Sequence, residues 1–146
     1  MYRHILIPTD GSELAGRAVR HGLALAKSAG AKVTALTVEP SFDVYTVPAS
    51  RVYEMSGAFA EHAERAKAHA QGILDGVAEE ARAAGVVCET VQVEQDHPYQ
   101  GIIDTTIAAI PLLPCEAITM RSQPLCSVSV TTKVLTHTKV PVLVCH

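Results

Sequence analysis

The sequence predicts one α/β domain built on an open parallel sheet. Short apolar or β-branched runs alternate with helical stretches, beginning with His4–Thr9, Glu13–Ala29 and Lys32–Val38. Glycines stand where helices should stop, at Gly30 and Gly85. A chain of 146 residues, 48% apolar and 18% charged, can bury one core but not two, so residues 1–146 are read as a single domain.

The first run ends at Asp10-Gly11-Ser12, as a buried parallel strand would before a turn. Ser12 offers an N-cap to the helix Glu13–Ala29. Leu14, Ala18, Gly22, Leu25 and Ala29 recur at three or four and form its expected apolar face. Lys32 to Val38 alternates and makes a second strand. Glu39 to Ser56 holds Pro40 and Pro48 and reads as a long irregular loop. From about Gly57 to Ala84 the residues Phe59, Ala63, Ala66, Ala70, Ile73, Val77 and Ala81 form one stripe at helical period. Val86 to Val93 reads as a third strand. Asp96-His97-Pro98 opens a helix to about Ala109, with Pro98 at its first position.

This βαβαβα order implies parallel strands joined by right-handed crossovers. Ile110 to Val128 breaks the pattern with Pro111, Pro114 and Pro124, and Glu116 to Met120 is at best a short fourth strand. Ser129 is placed to cap a helix through Thr138, and Val140 to Cys145 is an apolar last strand. Ser41 to Ser56 and Pro111 to Ser127 are the stretches expected to be least ordered.

Composition excludes several functions. Net charge is -3 and the Lys and Arg residues are scattered, so neither nucleic acid nor an anionic membrane surface is an expected partner. Aromatics are only 4%, which is poor material for stacking bases. No apolar run approaches the ~20 residues of a membrane span. Cys88, Cys115, Cys126 and Cys145 form no C-x-x-C pair, and Met1 to Ile7 runs straight into a strand without a leader pattern. Reduced thiols in the cytoplasm are therefore expected. His62 and His69 are seven apart, unlike the i, i+4 pair of helical zinc sites, and are expected to be exposed. His97, beside Pro98, belongs to the turn that opens a helix. No G-x-S-x-G elbow or other nucleophile–base set occurs, so no enzyme is expected. A phosphoacceptor receiver domain has the same size, but it needs an acidic pair after the first strand and an Asp after the third. Here Asp10 follows Thr9, and the third strand ends Val93-Glu94.

Ligands of open parallel sheets sit beyond the carboxyl ends of the strands, where the strand order reverses. Asp10-Gly11-Ser12 should lie there. Asp10 could accept from a ribose hydroxyl or hold a metal on a phosphate, and Gly11 lets backbone approach a ligand. Equally, Asp10 and Ser12 are ordinary turn and cap residues.

Ile5-Leu6-Ile7-Pro8-Thr9-Asp10-Gly11-Ser12 resembles the opening of universal stress protein domains. Ser129-Val130-Thr131-Thr132-Lys133-Val134-Leu135, continued by Val140-Pro141-Val142-Leu143-Val144, resembles their close. Chain length, helix order and Asp96-His97-Pro98 match as well, so the similarity spans all but Ile110 to Val128. It implies a Rossmann-like five-stranded parallel sheet of order 3-2-1-4-5, helices on both faces, and a homodimer. It also implies a nucleotide crevice: Pro8, Thr9 and Asp10 after the first strand, Val38 where backbone meets adenine, and Ser129 and Val130 at a phosphate-capping helix start.

Family members that bind ATP wrap its phosphates with G-x-x-G, nine residues, then Gly-Ser or Gly-Thr. Backbone N–H groups converge there because glycine leaves room. In this chain all nine glycines fall at or before Gly101, and Val128 precedes Ser129. Valine resists positive φ and adds bulk, and Pro124 lacks an N–H. The expectation is a cytosolic, homodimeric binding or signalling module with impaired ATP binding, no certain cofactor, and a protein partner the sequence does not name. The dimer is expected through the last strand, with Val140, Val142 and Val144, since an apolar edge invites pairing with a twin strand. A strand covered within the monomer is the plainer alternative, and a dimerisation unit with no ligand is a lesser one.

A different class of function is an ATP-binding member with slow hydrolysis, whose 110–128 segment is frame-shifted or rebuilt. Ser122 to Val128 can be encoded so that the shifted frame reads Ala-Ala-Val-Val-Leu-Gly, which puts the missing glycine directly before Ser129. In that reading ATP comes with Mg²⁺, Asp10 helps place both, and Ser129 caps the γ-phosphate.

Overall fold

Among the described residues, five strands and four helices alternate. The computed structural model describes residues 2–41, 49–108, 117–121 and 128–145, without the side chains of 49–56, 108, 121, 128 and 129. The elements are β1 (His4–Pro8), α1 (Glu13–Ala29), β2 (Lys32–Glu39), α2 (Ala49–Ala84), β3 (Cys88–Glu94), α3 (Pro98–Ala108), β4 (Ala117–Arg121), α4 (Val128–His137) and β5 (Val142–Cys145). The strands form one sheet in the expected order β3-β2-β1-β4-β5. Every neighbouring pair is parallel, with Ile5 opposite both Val33 and Ala117, and Ile118 opposite Val142.

Strand residues alternate between two cores. Ile5, Ile7, Val33 and Ala35 pack with Val19 and Leu23 of α1 and Leu74 and Val77 of α2. Leu6, Leu36, Ile118 and Met120 pack with Ile102 of α3 and Val134 of α4 on the other side. Two helices thus cover each face of the sheet, and the middle strand β1 is sealed from water, with Ile5, Leu6 and Ile7 fully buried.

The capping residues act as the sequence predicts. The Ser12 hydroxyl accepts from Ala15 N–H at 3.2 Å, and Gly30 ends α1 at φ +67°. The buried face of α1 is turned from the expected one. Ala15, Ala18, Val19, Gly22, Leu23 and Ala26 are buried, whereas Leu14 stays 40% exposed. Small residues win this face because α1 lies close to the sheet: a Cβ on Gly22 would stand 2.5 Å from Ile7 Cδ1.

Helix α2 begins at Ala49, eight residues earlier than the Gly57 expected. Pro48 had marked a loop, but proline is tolerated where a helix begins. Val52 and Met55, seven and four residues before Phe59, continue the helical spacing. Only the later part of the stripe reaches the core, through Ala70, Val77 and Ala81, joined by Leu74 where Ile73 was expected. Smaller shifts start β3 two residues later than expected and end it one later, and start β5 at Val142, with Val140 packed against the second core instead. Of the stretches expected to be least ordered, Ala49 to Ser56 is helical, while 42–48, 111–116 and 122–127 lie outside the described residues.

Candidate functional site

The end of β1 is held by short-range bonds. Thr9 N–H donates to Leu36 C=O at 2.8 Å, and the Thr37 hydroxyl donates to Thr9 C=O at 3.1 Å, tying β1 to β2. Gly11 N–H donates to the Thr9 hydroxyl at 3.2 Å, and Ser12 N–H to Asp10 Oδ1 at 3.0 Å. Gly11 has φ +75°, the left-handed region that favours glycine. The turn-and-cap roles of Asp10 and Ser12 are therefore real. They also fix the direction of the Asp10 carboxylate.

That carboxylate borders a cavity of about 230 Å³ at the carboxyl ends of the strands. Here the order turns from β1-β2-β3 to β4-β5, the place where the topology opens a crevice. Pro8, Thr9 and Asp10 line it from β1, Leu36 and Val38 from β2, and Met120 from β4. Pro98 and Ile102 of α3, Val130 and Thr131 of α4, and Ala15 complete the wall. Five of the six residues singled out in the sequence, Pro8, Thr9, Asp10, Val38 and Val130, thus meet at one cavity. The sixth, Ser129, lies in the first turn of α4, which begins at Val128, so it is not the cap itself. Its side chain is outside the described residues.

The sequence reading missed Ala15, Leu36, Met120, Pro98, Ile102 and Thr131. A positional rule could have found them: they lie in the carboxyl halves of β2 and β4 or in the first two turns of α1, α3 and α4, on the ligand side of such a sheet.

Among the described lining residues Asp10 carries the only formal charge. The nearest lysine of α4, Lys133, is engaged elsewhere, its Nζ 4.8 Å above the Tyr99 ring. His97 stacks on the same Tyr99 ring, 5.8 Å away between ring centres, and stays in the turn that opens α3. The thiols are free at Cys88 and Cys145, and burial raises both pKa values above the ordinary thiol range. Neither borders the cavity. Cys115 and Cys126 fall outside the described residues. His62 and His69 are exposed, as expected. Among the described residues no helix is long and apolar enough to cross a membrane.

Residues 1–111 match the universal stress protein family. The chain belongs to that family. The match ends just inside the aberrant Ile110–Val128 stretch, so the closing motif from Ser129 lies beyond it. Solved structures of the family share the fold over nearly the whole chain. A universal stress protein from Burkholderia pseudomallei is 24% identical, with 99% of this chain and 96% of that one covered at TM-score 0.68. One in complex with cAMP is 22% identical, with 99% and 97% covered at 0.71. One from Archaeoglobus fulgidus in complex with dAMP is 18% identical, with 98% and 97% covered at 0.67. No curated protein matches the chain.

Proposed function

We propose that this family member is a cytosolic binding or signalling module, not an enzyme, that works as a homodimer and holds ATP weakly or not at all. The observation that carries the reading is the replacement of the phosphate loop. No glycine follows Gly101, Val128 stands directly before Ser129, and the one charged residue among the described cavity lining is an anion, Asp10. A triphosphate needs converging N–H donors or cations, and here it would meet side-chain bulk and like charge. The cavity itself supports a small-ligand role, as do relatives described in complex with cAMP and dAMP. The described lining residues include no serine, cysteine, lysine or histidine.

The dimer is proposed through β5. It is an edge strand, half-buried at Val142 and Val144, with Leu143 43% exposed. An apolar edge with unpaired backbone groups favours antiparallel pairing with its own copy. Calorimetry with ATP and Mg²⁺, together with light scattering, tests both parts. The expected result is no heat from ATP at micromolar protein and a mass of two chains. Micromolar ATP binding would reverse the nucleotide part, and a single-chain mass would reverse the dimer.

A second reading rests on the end of the family match at residue 111. If 110–128 is frame-shifted or rebuilt, the parent protein binds ATP, with slow hydrolysis, and Asp10 helps place Mg²⁺ and phosphates. The gene across codons 108 to 130 decides it: an alternative frame encoding G-x-x-G supports this reading, and its absence removes it.

A further inference from the structure

We infer that His137 switches Lys133: when the imidazole takes up a proton, the Lys133 ammonium is driven off the Tyr99 ring and released to solvent. The device sits on the seam between α3 and α4 and needs no ligand.

Tyr99 is surrounded by basic side chains. It is half-buried and packs against the second core from the first turn of α3. Lys133 Nζ lies 4.8 Å from its ring centre. The His97 ring stacks on it at 5.8 Å and 23°, and the His137 ring is tilted against it at 6.0 Å and 44°. One aromatic ring thus serves a fixed cation and two imidazoles. Imidazole is the side chain that changes charge between about pH 8 and pH 5. While both imidazoles are neutral, the ammonium is the one cation on the ring, a cation–π contact.

Position decides which group yields on acidification. His137 is the last residue of α4, and its Nδ1 stands 2.7 Å from Lys133 C=O. A carbonyl only accepts, so Nδ1 carries the hydrogen and Nε2 takes up the proton. The imidazolium is then favoured twice: its bond to the carbonyl becomes charge-assisted, and it meets the negative end of α4. It also faces Lys133, four residues back on the same helix, and like charges at that spacing repel. Lys133 is exposed, and its flexible stem lets the ammonium swing into water, so Lys133 is the group that moves.

The surrounding charges leave that order intact. His97 stands at the opening of α3, whose positive end opposes a charge there. Asp96, before it, and Lys139, beyond α4, are both exposed, where salt screens them. Asp104, further along α3, accepts from Gln95 and Gln100. The sheet residues that meet Tyr99's core are apolar, Leu36 and Val38 from β2 and Met120 and Val142 from β4 and β5.

The test is the NMR signal of the Lys133 ε-methylene in the full chain. The Tyr99 ring current displaces it upfield while the ammonium lies over the ring, and Tyr99→Leu supplies the undisplaced value. Expected is a displacement at pH 8 that is lost by pH 5 in wild type. His137→Gln should keep it at pH 5, and His97→Gln should lose it as wild type does. Glutamine retains an N–H for the Lys133 carbonyl, and circular dichroism checks each fold at both pH values. Added salt at pH 5 should return part of the displacement to wild type, because the repulsion is screened, and this arm needs no variant. The inference is overturned by no displacement at pH 8, by a displacement that persists at pH 5 in wild type, or by its equal loss in His137→Gln. Indifference to salt, or a loss that only follows unfolding, overturns it as well.

Discussion

Gly101 of α3 faces Val38 of β2 so closely that a Cβ at 101 would lie 2.9 Å from Val38 Cγ1 and 3.1 Å from Cγ2. The last glycine in the chain is thus a spacer rather than a phosphate ligand. It lets α3 settle on β2 and brings Pro98 and Ile102 to the wall that Val38 also lines.

Gly101→Ala sets two effects against each other. Alanine favours the helix by about 0.8–1 kcal/mol. Overpacking costs about 1–3 kcal/mol, and Val38 is stiff at χ1 and fixed in a strand paired with β3. The clash should win, with a net loss of about 1 kcal/mol and a Tm lower by roughly 3 °C. Gly76→Ala, on exposed α2 with no atom within 4 Å of the added carbon, should instead gain about 0.5–1 kcal/mol. Equal effects at the two positions would show that the contact with Val38 does not constrain α3.

Thr119 of β4 is fully buried, and its hydroxyl has no hydrogen-bond partner. It lies toward Gly22, where an added Cβ would stand 3.3 Å from Thr119 Oγ1. An unpaired buried hydroxyl costs about 1–3 kcal/mol. Thr119→Val keeps the shape and removes that cost, so stability should rise by about 1 kcal/mol, read as a higher urea midpoint at unchanged m-value. A drop would mean that the hydroxyl does bond in solution.

The sheet was legible in the sequence because a strand buried on both faces has no polar period to hide it, as Ile5-Leu6-Ile7 shows. Helix ends were legible where one residue has one physical job, at Ser12, Gly30 and Gly85. The face of α1 was not, because Ala15 and Ala26 carry little hydrophobic signal yet fit a close helix–sheet contact better than Leu14. The start of α2 was obscured by Pro48, which can close a loop or precede a helix. At the cavity, Asp10 announced itself through its turn. Met120 and Ile102 look like any core residue, and only the topology tells which end of the sheet they serve.

Burial raises the pKa of Cys88 most, helped by Glu89 and opposed by a backbone bond from Ala35, and raises that of Cys145 by burial alone. A folded-state pKa above the unfolded value favours the native state while the thiol is neutral. That contribution is complete below the unfolded pKa, near 9.0, and is lost as pH rises through the raised folded values. Wild type should therefore lose stability more steeply above pH 9 than a Cys88→Ala, Cys145→Ala double variant. Matched slopes from pH 8 to 11 in chemical denaturation would show that neither thiol is linked to folding.

Leu143 and Leu135 separate the proposed dimer edge from general surface stickiness. Both are large and partly exposed, at 43% and 48%, but Leu143 is in the edge strand and Leu135 is on α4. If two copies pair through β5, a charge at 143 meets its own image near the dyad and must be desolvated there, which costs several kcal/mol. Leu143→Glu should halve the mass seen by light scattering at micromolar protein while leaving the circular dichroism spectrum unchanged. Leu135→Glu should remain a dimer. Dimers in both variants would place the interface elsewhere, because an edge strand cannot absorb a facing pair of carboxylates and keep its ladder.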